Sequence, residues 1–120
     1  MTKRLSDKVA IVTGGARGIG KGIVNSLVSN GAKVVFVDQN DENGKQTESL
    51  INKEYNNSVT FFKGDVSVKK DNIKAVEIAI NVYGKLDIIC PNAGIFPLTW
   101  IKDISEKEWD HVMNINLKGP

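Results

Sequence analysis

The sequence predicts an α/β fold in which a parallel sheet is flanked by helices, and two observations support this prediction. Short, almost continuous apolar runs rich in β-branched and aromatic residues alternate with longer segments of helical spacing. Such apolar runs suit strands that are buried on both faces. Their alternation with helices of this length implies parallel strands joined by right-handed crossovers. The 120 residues fit a single domain.

Four strands are predicted, at residues 9–13, 33–37, 59–63 and 86–90. The first helix is predicted over 19–30, with Gly31 as its stop and an apolar stripe of Ile19, Ile23, Val24, Leu27 and Val28. The second covers 41–56 and places Thr47, Leu50, Ile51 and Tyr55 on one face. The third covers 67–83, ends before Gly84 and aligns Ile73, Val76, Ile80 and Tyr83. A fourth helix opens at a capping box of Ser105 and Glu108.

The composition excludes several functional classes. Sixteen basic and 14 acidic residues give a net charge of +2, which is too balanced to favour nucleic acid or an anionic membrane surface. The single cysteine, Cys90, permits no internal disulfide and no cysteine zinc site, and the single histidine, His111, is interpreted as a surface residue. No apolar run approaches the roughly 20 residues of a membrane span. The polar start at residues 1–8 leaves no room for a signal peptide, so a cytoplasmic location is expected.

A glycine-rich turn, Thr-Gly-Gly-Ala-Arg-Gly-Ile-Gly at 13–20, joins the first strand to the first helix. Glycine permits positive φ and close approach of the backbone to a ligand, and the N–H groups that open a helix suit a pyrophosphate. The spacing G-x-x-x-G-x-G is neither G-x-G-x-x-G nor a P-loop. A tight turn that serves only packing is the alternative. The position favours phosphate binding, because dinucleotide-binding folds hold the pyrophosphate after the first strand.

An acidic residue, Asp38, ends the second strand 18 residues after Gly20. A carboxylate here accepts hydrogen bonds from the adenosine ribose and repels a 2′-phosphate. Arg17, inside the turn, would instead suit a 2′-phosphate, whereas Gln39 stands where NADP sites often place arginine. NAD is therefore favoured over NADP as the cofactor. A solvated acid at a strand end is the alternative role for Asp38.

Further motifs follow in order: Asp65-Val66 after the third strand, Pro91-Asn92-Ala93-Gly94 after the fourth, and Glu-Trp-Asp-His-Val-Met-Asn-Ile-Asn-Leu-Lys-Gly at 108–119. With the glycine turn and Asp38, these motifs make the chain resemble the short-chain dehydrogenase/reductase family from about residue 7 to residue 120. The resemblance implies a Rossmann-type doubly wound parallel sheet, of which the chain holds the first four of seven strands. It also implies one incomplete NAD-binding domain over 1–120, truncated inside the helix that carries Asn116.

The resemblance also implies roles for individual residues. The cofactor-binding set is Gly14, Arg17, Gly18, Ile19, Gly20, Asp38, Asp65, Val66, Asn92, Ala93 and Gly94. Pro91 departs from the family's N-N-A-G, which is chiefly a question of stability because the replaced asparagine is associated with holding the sheet together. The family's catalytic asparagine, which holds a water in a proton relay, corresponds to Asn116 because Asn116-Leu117-Lys118-Gly119 fits its pattern. Asn114 does not fit, and no metal site is expected.

The implied activity is hydride transfer between a nicotinamide and a small-molecule alcohol or ketone, with a tyrosine as general acid/base in a Y-x-x-x-K motif. Val59 follows Tyr55 by four residues and Asp87 follows Tyr83, so neither tyrosine forms the motif. The chain alone is therefore expected to be inactive and to supply cofactor binding, with residues 86–90 as an exposed apolar edge. The parent enzyme is expected to be a homotetramer or dimer. Two alternatives to this function are a non-catalytic NAD-binding module and an α/β domain that binds nothing.

Overall fold

A computed structural model of the chain describes residues 4–16, 18–93 and 106–107. Within these residues the elements are β1 (Val9–Thr13), α1 (Gly18–Ser29), β2 (Lys33–Asp38), α2 (Asp41–Tyr55), β3 (Val59–Lys63), α3 (Lys69–Tyr83) and β4 (Ile88–Cys90). Every strand and helix predicted in this range is present. Both α3 and β4 begin two residues later than predicted. Of the fourth predicted helix, only Glu106 and Lys107 are described, and both are helical.

The four strands form one parallel sheet in the order β3-β2-β1-β4, which confirms the predicted fold class. β1 lies between two partners, with Ala10 aligned to Val34 of β2 and to Ile88 of β4. Because all strands run in the same direction, their carboxyl ends meet at one edge of the sheet. The loops that leave β1, β2, β3 and β4 therefore start from this edge.

The core has two layers, one on each face of the sheet. On one face, alternate residues of β1 and β2 pack against α1 and α2, in a cluster centred on Val12, Val24, Phe36 and Ile51. On the other face, Ile11 and the remaining alternate residues pack against α3. Continuous apolar runs in β1 and β2 follow from this arrangement, because both faces of each strand are covered.

The outer edge of β3 is bonded to side chains of α2. The Asn52 side chain accepts a hydrogen bond from Val59 N (3.0 Å) and donates one to Val59 O (3.1 Å). One helical turn earlier, Glu48 Oε2 accepts a hydrogen bond from Phe61 N at 2.6 Å. These side chains occupy backbone groups that a further strand would otherwise pair with.

The third helix buries a face different from the predicted one. Ile73, Val76 and Ile80 are 50%, 40% and 46% exposed, respectively, and line a shallow surface groove. Ala75 and Ala79 take the buried positions against the sheet. Of the predicted stripe of Ile73, Val76, Ile80 and Tyr83, only the half-buried Tyr83 therefore packs against the core. The physical reason is that α3 has apolar residues on more than one face, and the small alanines let the helix lie close to the strands.

Two residues of the other predicted apolar stripes are exposed and do not face the core. Ile19 is 79% exposed, because it lies where the glycine turn passes into the first turn of α1, and Leu50 of α2 is about half exposed. Their neighbours Val24, Val28 and Ile51 are buried as predicted. Among the described helices, none is long and apolar enough to cross a membrane.

Candidate functional site

The segments that follow β1 and β4 are joined directly. Thr13 Oγ1 accepts hydrogen bonds from the backbone N–H of Asn92 (2.9 Å) and of Ala93 (3.0 Å). The Asn92 side-chain amide donates to the carbonyl of Gly14 at 3.3 Å. The glycine turn and the Asn92-Ala93 segment, far apart in sequence, therefore form one surface at the carboxyl edge of the sheet.

Close packing favours glycine at Gly15, whose Cβ would lie 2.6 Å from Phe36 Cβ, and at Gly14 and Gly20, where the turn meets α1 and the segment after β4. Gly14 has φ +68°, and an added Cβ would lie 3.0 Å from Ala93 Cα. A Cβ on Gly20 would lie 1.9 Å from the Gly14 carbonyl oxygen and 2.6 Å from Asn92 Nδ2. For these two residues, packing of the turn against α1 and the segment after β4 is a sufficient explanation. This close packing is what the alternative considered from the sequence predicts for Gly14 and Gly20.

Gly18 differs from these glycines. It has φ +60°, so its conformation favours glycine, but among the described residues a Cβ would meet no atom within 4 Å. This open space lies at the first residue of α1. The first turn of α1 contains no acidic residue, whereas α2 begins with Asp41 and Glu42. The positive end of the α1 dipole is therefore uncompensated by its own first turn, which suits an anionic ligand group.

Asp38 lies at the end of β2 and contacts the glycine turn. Its Oδ2 accepts a hydrogen bond from Ala16 N at 3.2 Å, and its Oδ1 accepts one from Asn40 N at 3.0 Å. The carbonyl of Ala16 accepts a hydrogen bond from Thr47 Oγ1 at 2.7 Å. An ionised carboxylate has about four lone-pair positions, so the half-buried Asp38 retains capacity for hydroxyl donors of a ligand.

The loop after β3 adjoins this edge through Gly64, whose N–H donates to the Asp38 carbonyl at 3.1 Å. Asp65 Oδ1 accepts hydrogen bonds from Ser67 N (2.9 Å) and Ser67 Oγ (2.6 Å), which closes a local turn. The side chain of Val66 is buried, and its carbonyl accepts a hydrogen bond from Asn72 Nδ2 at 2.9 Å. Any contact of Val66 with a ligand therefore involves its backbone.

The structure thus brings most of the predicted site residues to one edge of the sheet. These are Gly14, Gly18, Ile19, Gly20, Asp38, Asp65, Val66, Asn92 and Ala93. Arg17, Gly94 and Asn116 lie outside the described residues. Sequence reasoning missed Thr13 and Thr47 as members of the site. The signal for Thr47 was a hydroxyl on the buried face of an amphipathic helix, because a buried hydroxyl needs a hydrogen-bond partner.

The two tyrosines pack against the core, one on each side of the sheet. Tyr83 Oη is hydrogen-bonded to Thr60 Oγ1 at 2.9 Å, and burial raises the pKa of its phenol above the ordinary 10.0. A tyrosine that acts as a base near neutral pH needs its pKa lowered. Tyr55 is half-buried and packs against the core cluster on the α1/α2 side of the sheet. Both observations agree with packing roles.

A doubly wound parallel sheet with a glycine turn after β1 defines the class of nucleotide-binding α/β proteins. Within this class the chain belongs to the short chain dehydrogenase family, whose pattern it matches over residues 8–120. The members of this family are oxidoreductases that use nicotinamide cofactors, NAD or NADP. The described residues fit such a cofactor, because the open start of α1 suits its phosphates and Asp38 suits a hydroxyl donor.

Individual relatives agree with this assignment. The chain is 40% identical to xanthoxin dehydrogenase of Arabidopsis thaliana, with 98% of the chain and 42% of the relative covered. It is 38% identical to 3-alpha-(or 20-beta)-hydroxysteroid dehydrogenase of Mycobacterium tuberculosis, with 99% and 44% covered. A crystal structure of a short-chain dehydrogenase/reductase from Brucella melitensis superimposes with a TM-score of 0.91 at 26% identity, covering 99% of the chain and 49% of that structure. The chain thus spans less than half the length of these proteins.

Proposed function

We propose that the chain is the cofactor-binding part of an NAD-dependent oxidoreductase that transfers a hydride between nicotinamide and an alcohol or ketone. The observation that most supports NAD is Asp38, held beside the glycine turn by the Ala16 N–H at 3.2 Å. A carboxylate in this position accepts hydrogen bonds from the ribose hydroxyls of NAD and repels the 2′-phosphate of NADP. The proposed site lies within one domain, residues 1–120.

In this proposal each part of the edge binds a different part of the dinucleotide. The start of α1, with Gly18, Ile19 and Gly20, binds the pyrophosphate, and Gly14 and Arg17 complete the turn around it. Asp38 binds the adenosine ribose, and Asp65 with the backbone of Val66 borders the adenine. The segment Asn92, Ala93 and Gly94 lines the second ribose. When bound, the nicotinamide accepts or donates the hydride.

The chain's own contribution to the chemistry is proposed to be Asn116, which holds a water in a proton relay and helps position a catalytic lysine of the whole protein. The described tyrosines, Tyr55 and Tyr83, lack a lysine four residues later. We therefore expect the 120-residue chain to bind cofactor and to show no turnover.

The substrate class follows from the relatives only in outline. Two of them are named as dehydrogenases of xanthoxin and of hydroxysteroids, that is, as enzymes of small organic molecules. We propose a small-molecule alcohol or ketone as the substrate of the whole protein, a homotetramer or dimer as its assembly and the cytoplasm as its location.

The test is a titration of the purified chain with NADH and, separately, with NADPH, followed by the fluorescence of the reduced nicotinamide. Asp38→Ala is compared with Glu54→Ala, which removes the same charge from an exposed position near the end of α2. We expect wild-type chain to bind NADH more tightly than NADPH. Asp38→Ala should weaken NADH binding about tenfold and abolish the preference, because one hydrogen-bonded acceptor and one repulsive charge are removed.

The ratio of the two affinities separates the proposed role from a structural one. Asp38 also anchors Ala16, so a purely structural loss would weaken both cofactors by the same factor and leave the ratio unchanged. That result would overturn the assignment of NAD to Asp38. A folded wild-type chain that binds neither cofactor would overturn the proposal that these residues suffice to hold the dinucleotide.

A further inference from the structure

Thr47 is a buried hydroxyl on the face of α2 that packs against the sheet. It is 3% exposed, and its neighbours on this face are Gly44 and Ile51. Threonine inside a helix commonly bonds to the carbonyl of its own preceding turn. Here the hydroxyl instead donates to the carbonyl of Ala16, 31 residues away, at 2.7 Å. The helix therefore contacts the glycine turn through this side chain.

The position of Thr47 depends on close approach of α2 to the sheet. Gly44 lies almost one helical turn before Thr47, and a Cβ there would lie 2.1 Å from the ring of Phe61. Glycine at this position lets the start of α2 pack directly on the Phe61 ring of β3, and a larger residue would require this ring to shift. The close approach brings the Thr47 hydroxyl within reach of the turn after β1.

Both backbone polar groups of Ala16 are thereby held by side chains. Its N–H donates to Asp38 Oδ2 at 3.2 Å, and its carbonyl accepts the hydrogen bond from Thr47. Ala16 is itself buried and stands two residues before Gly18, the first residue of α1. Thr47 therefore holds the peptide that follows Ala16, and Asp38 holds the peptide that precedes it, so the two side chains fix this residue from both sides.

From this chain of contacts we infer that Thr47 is a positioning residue of the dinucleotide site. It acts through Ala16 to orient the Asp38 carboxylate towards the adenosine ribose and to hold the start of α1 towards the pyrophosphate. The inference rests on the proposed function, because it requires a dinucleotide at this edge. It adds a residue on α2, outside the glycine turn and the strand ends, to the groups that determine cofactor affinity.

The test compares NADH affinities of Thr47 variants in the full chain. Thr47→Val keeps the shape and removes the hydroxyl, and Thr47→Ser keeps the hydroxyl and removes the methyl. We expect NADH binding roughly five- to tenfold weaker in Thr47→Val, because a buried carbonyl loses its partner and the turn loses its anchor. Thr47→Ser should restore most of the affinity.

Thr60→Val is the matched control. It makes the same chemical change at a threonine whose hydroxyl also forms a hydrogen bond, in this case with Tyr83 on the other side of the sheet from α2. A general loss of stability would affect both valine variants, whereas loss of positioning affects Thr47→Val alone. Urea unfolding of each variant shows that titrations are made on folded protein.

The outcomes separate this inference from the proposed function. Wild-type chain that binds no NADH overturns both. Wild-type chain that binds NADH, with Thr47→Val unchanged or weakened no more than Thr60→Val, overturns the inference alone. If Thr47→Val does not fold, Thr47→Cys supplies a weaker donor of similar size. Equal NADH affinity of the serine, cysteine and wild-type chains would then overturn the inference.

Discussion

Two glycines of α1 provide a direct test of how the glycine turn packs. Gly20 and Gly22 lie two residues apart on the same helix, but their surroundings differ completely. A Cβ on Gly20 would lie 1.9 Å from the carbonyl oxygen of Gly14, whereas a Cβ on Gly22 would meet no described residue within 4 Å. Alanine at both positions adds the same methyl group to the same helix, so each variant is the other's control.

The expected free energies follow from these distances. In Gly20→Ala, α1 and the turn must separate by about 1.5 Å to restore ordinary contact with a backbone atom that has no rotamer to change. Overpacking of this kind costs about 3 kcal/mol, at the upper end of the usual range. The better helix propensity of alanine offsets about 1 kcal/mol, which leaves a loss of about 2 kcal/mol. Gly22→Ala gains about 0.5–1 kcal/mol from propensity alone.

Urea unfolding followed by circular dichroism measures the difference. With slopes of about 1–3 kcal/mol per molar urea, the midpoints of the two variants should separate by about 1 M or more, with Gly20→Ala the lower. The same displacement moves the start of α1, so Gly20→Ala should also weaken NADH binding while Gly22→Ala should not. A Gly20→Ala midpoint equal to or above that of Gly22→Ala would refute the argument that α1 is packed on the Gly14 carbonyl.

Two further predictions concern the remaining anchors of the sheet. Asn52→Ala removes both hydrogen bonds to Val59 at the outer edge of β3, so its urea midpoint should fall by the equivalent of about 1–3 kcal/mol, and an unchanged midpoint would contradict the anchoring role. A hydrogen bond from the Val9 N–H and, to a smaller extent, the nearby Lys85 hold the pKa of the Asp87 carboxyl below its ordinary 3.8. A carboxyl whose pKa is lower in the folded than in the unfolded state stabilises the fold at pH values above the unfolded-state pKa. This stabilisation is lost as the pH falls through the folded-state pKa. In Asp87→Asn, the free energy of unfolding should therefore depend less on pH below about pH 4 than in wild type, as measured by urea titrations at several pH values. A pH dependence identical to that of wild type would show that Asp87 contributes nothing to it.

The elements and their order could be predicted from the sequence because their signals are local. β1 and β3 were predicted with their observed bounds, since each is a short apolar run between polar segments. Gly31 and Gly84 end α1 and α3 as expected, and both have positive φ. The parallel arrangement followed from alternation, which is a property of the whole pattern and tolerates errors of a residue or two at each end.

The contacts between distant segments could not be predicted in the same way. The hydrogen bond from Thr47 to Ala16 depends on how closely α2 packs on the sheet, and Gly44 lies directly against the Phe61 ring there. Thr13 was part of a recognised motif, but its partners Asn92 and Ala93 lie almost 80 residues away. The sequence shows which polar residues share a helix face with apolar ones, and only the packing shows which backbone group they reach.

The third helix illustrates a different limit of periodicity. Ile73, Val76 and Ile80 recur at helical spacing, and so do Ala75 and Ala79, so the pattern alone allows either face to meet the sheet. The alanines are the ones that contact the sheet, because the large residues at Ile11 and Val35 already fill the space between the layers and favour small partners on the helix. The larger apolar face of α3 stays exposed among the described residues.

The proposed cofactor binding and the proposed turnover depend on different residues. The proposed pyrophosphate and ribose contacts come from the carboxyl ends of β1, β2 and β4, which the Thr13–Asn92 and Asp38–Ala16 hydrogen bonds join into one surface. None of these bonds requires a residue beyond Ala93. The proposed proton relay, in contrast, needs Asn116 and a tyrosine–lysine pair that the sequence does not contain. Because the two sets do not overlap, variants of Asp38 and Thr47 measured by cofactor titration in this chain report on binding alone.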